Sequence, residues 1–291
     1  MTRGSLQNNS RYLVIVADDL GSSASVNQAV AEAHDRGILT SASLMTGGEA
    51  FEEAIEMARR RSRLSVGLHL TLCDGRAVLP PSQIPGLVDK DGWLEQSPAL
   101  AGIRYWKGRR ELLAQIEAEI KAQFNCIEKA GIRPSHIDGH HHLHLHPLIF
   151  EVACREASQR GVTWIRVPKE PLSAVIDLTP TERGAMPYAE WATFRMLGIY
   201  DTHLARKYGL RTAHYVYGNS CTGNLDQKHL LSLLENAGGT LNEIFFHPDT
   251  ATESGKRELD ALTSDEVRRT LASLGYILTD YRRLSDCVIG S

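Results

Sequence analysis

No stretch of the chain approaches the ~20 consecutive apolar residues that a helix needs to cross a bilayer, so an integral helical membrane protein is not expected. Met1 to Ser10 is polar and lacks the apolar core of a signal peptide, and export by that route is not expected either. An excess of basic charge is also missing. Lys and Arg total 32 against 35 Asp and Glu, a net charge of -3, which provides no electrostatic footprint for nucleic acid. The five cysteines, Cys73, Cys126, Cys154, Cys221 and Cys287, are odd in number, scattered and without a C-x-x-C. That pattern suggests neither a disulfide framework nor a thiolate zinc site, and a reducing cytosol is the expected compartment. Internal repeats and low-complexity tracts are absent as well.

What remains is a chain of 291 residues with 42% hydrophobic and 23% charged residues, the balance of an ordinary packed core. Its length suits one large α/β domain. We expect a disordered tail at residues 1–10 and a single domain over 11–291. Tyr12 to Val16 (YLVIV) is a continuous apolar run, as in a strand buried on both faces of a parallel sheet. Ser25 is positioned to cap a helix with Val26, Ala29, Val30 and Ala33 at helical spacing, ending near Gly37. The alternation then continues: strand 39–45, helix 49–60, strand 65–72, helix 109–130, strand 135–138, helix 147–160 and strand 163–167. Further strands are expected at 213–217, 243–246 and 276–278. Strands separated by helices imply βαβ crossovers, and their number favours a barrel-like parallel (β/α) fold resembling an irregular TIM barrel. Two proline-rich stretches break the rhythm, at about 73–107 and 168–209. Both follow strands, so they belong at the carboxyl end of the sheet, where such barrels place their sites. We read them as walls of a substrate site.

The compositional anomaly is histidine, with six of the 12 lying between His136 and His146. In Pro134–Pro147, His136, Asp138, His140, His142, His144 and His146 recur at two-residue spacing and share one face while the chain stays extended. A core does not absorb such a row without a buried partner for each ring, whereas a divalent cation and the groups supporting it use it directly. The alternative is a solvated histidine-rich loop. One strand cannot wrap an ion with all of them, so most must support ligands or face substrate. Other ligands should come from strand ends. Asp18-Asp19 follows YLVIV, and adjacent residues on extended backbone point apart, so one carboxylate can bind metal while the other acts as a base. Gly21 supplies freedom for a turn. The pair can equally cap the following helix. His69 lies on the polar side of Val66–Leu72, and His247 ends the apolar strand Glu243–Phe246, with Glu243 earlier on the same face; from the strand pattern alone each also reads as a satisfied structural histidine. Cys73 reads as a small buried residue.

Together V-A-D-D-L-G at 16–21, G-L-H-L at 67–70, H-I-D-G-H-H-H-L-H-L-H-P at 136–147 and F-F-H-P-D at 245–249 resemble the YdjC-like carbohydrate deacetylase family over nearly the whole chain. G-R-A-V-L-P-P at 75–81, I-P-G-L-V-D at 84–89 and R-V-P-K-E-P at 166–171 resemble its branch associated with hopanoid biosynthesis. The resemblance implies a barrel-like α/β domain that releases acetate from an N-acetylglucosaminyl hopanoid. It implies one divalent cation, Mg2+ or Zn2+, bound by Asp19, His69 and His140, with Asp18 as general base and His247 as general acid. His136, Asp138, His142, His144 and Arg166 are then supporting or substrate-facing residues; Arg166, just after a strand, reads equally as a partner that holds Asp18 ionised or as a surface arginine. Family members usually carry Phe in place of Leu20 and often Gln in place of His141; neither position is expected to hold metal, so only the shape of the pocket is affected. Trp93, Tyr105 and Trp106, in the first insertion, are expected to form an apolar substrate wall. A lipid-linked substrate would bring the protein to the inner face of the membrane. Two alternatives stay open: a deacetylase of soluble chito-oligosaccharides or another N-acetyl amino sugar, and a metal-binding barrel without catalysis. Peripheral membrane contact and homo-oligomerisation are open too.

Overall fold

In the computed structural model, residues 10–178 and 186–286 are described. Apart from Ser10, the expected tail lies outside them, as does Cys287. The strands are β1 Arg11–Leu20, β2 Ser41–Leu44, β3 Ser65–Leu70, β4 Ile137–Gly139, β5 Tyr215–Tyr217, β6 Leu241–Phe246 and β7 Tyr276–Thr279. They form one sheet in the order β4-β3-β2-β1-β6-β5, with β7 paired to the start of β1. All pairings are parallel. Each consecutive pair therefore needs a crossover, and helices supply it. Single bridges, Ile137 to Ile165 and Trp164 to Arg211, carry the curl past β4. The result is an α/β fold whose parallel sheet curls into a half-barrel, in keeping with the barrel-like expectation.

Alternation along β1 decides what the curl encloses. Leu13, Ile15 and Ala17 face the helices and join the large core. Val14 and Val16 point the other way, into a smaller cluster with Trp164, Val216, Leu241, Phe245 and Tyr281 inside the curl. Both faces are buried, as the unbroken YLVIV run implied. Asp18 is next in the inward register, so the enclosed side changes from apolar to polar towards the carboxyl ends of the strands.

Three local expectations differ from the structure. The first helix, Ala24–Arg36, is capped by Ser23, whose extended backbone lets its hydroxyl accept from the Val26 amide, whereas Ser25 already lies in the first turn. The strand at 163–167 is reduced to two single bridges, because its neighbour β4 is only three residues long and on the other side it meets only Arg211, outside any strand. The histidine row is extended only through Gly139: residues His140–Leu145 form a 3-10 turn, with His141 and His142 at φ 51° and 55°. Only His136 and Asp138 therefore keep the strand alternation, and the later histidines fan out. The insertions contain helices, Pro98–Lys107 in the first and Leu172–Leu178 with Met186–Lys207 in the second. Among the described residues no helix is long and apolar enough to cross a membrane.

Candidate active site

The turn that the aspartate pair requires is present. The β1–β2 register slips between Ala17 and Leu20, with Asp19 at φ 61° and Gly21 at φ 89°. A left-handed residue inside a strand is the mark of a bulge, and it re-aims one side chain. Asp19 swings onto the rim while Asp18 stays inside. On the next strands, His69 of β3 lies beside Asp138 of β4 in register. His140 follows where β4 ends.

These strand ends bring three donors to one point. Asp19 Oδ1 lies 3.2 Å from His69 Nε2 and 2.9 Å from His140 Nδ1. Burial alone would raise the Asp19 carboxyl, but hydrogen bonds from His140 and His69 outweigh it and hold it well below the usual range. His69 is turned by its other nitrogen, 2.8 Å from Asp138 Oδ1. Burial would lower its imidazole, yet the charge of Asp138 dominates and lifts it to about 10.

Behind the donors lies a buried polar network. Arg166 is 1% exposed and faces three carboxylates. Its Nη1 and Nη2 donate to Asp18 Oδ2 and Oδ1 at 2.5 and 2.8 Å, and Nη2 lies 2.9 Å from Asp138. Its Nε donates to Glu243, which also accepts from the Tyr281 hydroxyl. Burial opposes the arginine's charge, but Asp138, Asp18 and Glu243 overcome it and raise its pKa. Asp138 further accepts from Ser43 Oγ at 2.6 Å. His136 sits against Ser43 and Ser135 and is kept neutral by burial, its pKa lowered to about 4. Its ring occupies the space of a missing side chain, since a Cβ on Gly67 would lie 2.4 Å from His136 Cε1. His144 holds the Arg166 carbonyl through Nε2 at 2.9 Å, and burial lowers it too to about 4.

Asp18, Asp19, His69, His140, His142 and His247 all line one open cavity of about 450 Å³. The structure thus brings these expected residues together, with His136, Asp138, His144 and Arg166 supporting them from behind. His247 Nε2 lies 4.0 Å from Asp18 Oδ2, and its backbone amide donates to Glu258 at 2.5 Å. His142 packs between Phe194 and Phe245. The expected aromatic wall is placed elsewhere. Tyr105 is buried and its hydroxyl donates to the Leu72 carbonyl, which makes it a core residue. Trp93 borders a separate groove with Val88 and Arg104. Trp106 is exposed, edge-on to His146. The insertions instead contribute Pro98 and Phe194 to the cavity. Burial raises the Cys73 thiol to about 12, so it is no nucleophile.

Sequence reasoning missed several contributors. Ser43 and Tyr281 carried no local signal. Asn219 and Thr222 line the cavity on a loop shaped by Glu170, whose carboxylate accepts from the Gly218, Asn219 and Ser220 amides at 2.7, 3.0 and 3.1 Å. A lone glutamate between prolines in V-P-K-E-P was the available hint.

The chain is similar to known proteins to different degrees. A carbohydrate deacetylase of Brevibacillus brevis is 36% identical over 160 residues, a stretch that spans 54% of this chain and 59% of that protein. The crystal structure of a candidate cellobiose-phosphate cleavage protein from Enterococcus faecalis V583 superposes with TM-score 0.72 at 26% identity, covering 95% of this chain and 99% of that one. An uncharacterized protein of Agrobacterium tumefaciens C58 matches at TM-score 0.50 and 12% identity over 97% of this chain and 92% of that one, a likeness of fold alone. The YdjC-like protein family matches residues 12–273, nearly the whole described domain, and the chain belongs to that family.

Proposed function

We propose that this chain is a metal-dependent deacetylase of N-acetylated amino sugars. The observation that carries the reading is the convergence of Asp19, His69 and His140, whose donor atoms lie within 4.8 Å of one another, at a cavity shared with Asp18 and His247. The donor set fits a divalent cation: one carboxylate and two imidazoles, one of them backed by a carboxylate in the manner of metal-binding histidines. When bound, such an ion polarises the acetyl carbonyl and makes a water more acidic.

The chain's own residues account for the proton movements. Hydrolysis joins the water oxygen to the acetyl carbon and breaks the C–N bond, giving acetate and an amine. Asp18, oriented by both Arg166 nitrogens, accepts one water proton. His247 gives a proton to the departing nitrogen, which leaves poorly as an anion, and recovers one from Asp18 across the 4.0 Å gap. Asn219 and Thr222 are positioned to hold sugar hydroxyls.

For the substrate we propose a lipid-linked amino sugar, an N-acetylglucosaminyl hopanoid. Support comes from the resemblance noted above and from Phe194 and Phe245, apolar rings that line the cavity on either side of His142. A polycyclic body burying ~150 Å2 of apolar surface there, at ~25 cal/mol per Å2, would gain roughly a few kcal/mol, or several hundredfold in specificity. The test is acetate release in detergent from the lipid-linked sugar and from diacetylchitobiose. A much higher kcat/KM for the lipid, narrowed in Phe194→Ala, is expected. Equal rates on both substrates, unchanged in the variant, would favour the soluble oligosaccharide, and no acetate from either would leave a non-catalytic barrel.

A further inference from the structure

The turn after β4 presents a second group of donors that the deacetylation reading does not use. Asp74 stands in the loop after β3, and its Oδ2 lies 2.9 Å from His141 Nε2 and 3.9 Å from His140 Nε2. Together they form a group of metal-ligand type whose donor atoms lie within 4.8 Å of one another. His140 is common to both groups. Its Nδ1 faces Asp19 and its Nε2 faces Asp74, so the ring separates an inner and an outer cluster. His140 and His141 both line the cavity, and their rings are tilted at 4.2 Å between centroids.

Two features bear on what this cluster can hold. Asp74 and His141 both have side chains about half exposed, at 50% and 40%, so solvent and ions reach them. And the chemistry is mixed, with two imidazoles and a carboxylate, the same donor set as the inner site and one suited to zinc or a similar transition ion. We propose that Asp74, His140 and His141 form an outer cation site at the cavity mouth, beside the inner Asp19/His69/His140 site, that takes a zinc-like ion. Binding there forms bonds to Asp74 Oδ2, His141 Nε2 and His140 Nε2, and any proton on those nitrogens passes to water. With solvent-exposed ligands the outer ion is held more weakly than the inner one and exchanges readily. The site depends on His141, which the inner site does not use.

The proposal rests on the donor geometry and not on which reaction the cavity performs. It is tested by equilibrium dialysis of chelator-stripped full-length protein against graded Zn2+, with zinc counted per chain. The wild type should bind a tight ion and a second, weaker one. Asp74→Asn and His141→Asn should each lose the weaker ion and keep the tight one. Asn tolerates the left-handed backbone of both positions, φ 47° and 51°, so the variants should fold. Asp19→Asn should show the reverse, losing the tight ion and keeping the weaker. Adventitious binding to other exposed histidines is common to all these proteins and cancels in the differences. A wild type with one ion, or Asp74 and His141 variants that bind as the wild type does, would overturn the outer site. Failure of Asp19→Asn to lose the tight ion would instead count against the inner one.

Discussion

Replacing Asp138 by Asn removes one charge from the closed interior of the curl while keeping the side chain's size. The carboxylate is hydrogen-bonded to His69 Nδ1 at 2.8 Å and to Ser43 Oγ at 2.6 Å, and forms an ion pair with Arg166 Nη2 at 2.9 Å. An amide offers one acceptor oxygen, and its NH2 can be satisfied only by the hydroxyl of Ser43, which is able to accept. Either His69 or Arg166 then loses a charge-assisted bond, and Arg166 keeps only Asp18 and Glu243. Charge-assisted bonds contribute ~1.5–3 kcal/mol each, and breaking a buried pair costs ~3–5 kcal/mol, so a loss of about 2–5 kcal/mol is expected. His69 would also be less firmly turned towards the ion, and changes to such supporting carboxylates lower metal affinity ~10–100-fold. Burial alone would raise the Asp138 carboxyl, but Arg166 and His69 outweigh it and hold it far below the usual range. Its stabilisation is therefore complete at neutral pH and is lost as pH falls below about 4, the carboxylate value of an unfolded chain. Urea unfolding from pH 7 to 3, with chelator competition for bound Zn2+ at pH 7, measures both effects. The stability gap between wild type and variant should narrow in acid. Wild-type stability and wild-type zinc affinity in Asp138→Asn would refute the idea that this network supports the donors.

Other expectations follow from the same geometry. Asp19→Ala, His69→Ala and His140→Ala should each lose the tight ion and the activity while remaining folded, as metal analysis and circular dichroism would show. Asp18→Asn should retain the ion yet lose ~10²-fold or more in turnover, the scale of a missing general base, whereas loss of metal would make Asp18 a ligand. Gly67→Ala should lower stability by ~1–3 kcal/mol in thermal unfolding, because its Cβ would collide with the His136 ring; an unchanged melting temperature would count against that packing. Asp201 is buried with neither carboxylate oxygen hydrogen-bonded, and burial raises it to about 8. Its neutral form is accommodated and its charged form is not, so wild-type stability should fall from about pH 4 to 8 by a few kcal/mol relative to Asp201→Asn. A gap independent of pH would refute this.

The distribution of success between sequence and structure follows from what each residue pattern encodes. YLVIV implied a strand buried on both faces because hydrophobic period reports burial directly, and β1 is such a strand. Asp18 and Asp19 were legible as a pair with divergent roles because alternation separates neighbours, and Gly21 hinted at the turn. The bulge itself was not legible, since it arises from the β1–β2 register slip, which depends on pairing partners remote in sequence. The histidine row was misread as one extended face for a related reason. His141 and His142 adopt left-handed backbone that nothing in a run of histidines announces, and a turn there is what frees His140 to meet Asp19. For Arg166 the sequence leaves a pairing with Asp18 and a surface position equally open, and its enclosure by three carboxylates from β1, β4 and β6 is a product of tertiary folding alone. The tryptophans and tyrosine of the first insertion were assigned to a wall by composition, but the helix Pro98–Lys107 turns Tyr105 into the core.

The central claim is that Asp19, His69 and His140 hold the ion on which Asp18-dependent deacetylation relies. It is tested most directly by stripping the protein with chelator, titrating back Zn2+ or Mg2+, and following acetate and free amine released from an N-acetylated amino sugar. Acetate and amine should appear in equal amounts, with a rate that rises in step with occupancy of the tight site, saturates at one ion per chain and is nearly absent from fully occupied Asp18→Asn. Full activity in the stripped protein, or an Asp18→Asn variant as fast as the wild type at equal occupancy, would contradict it.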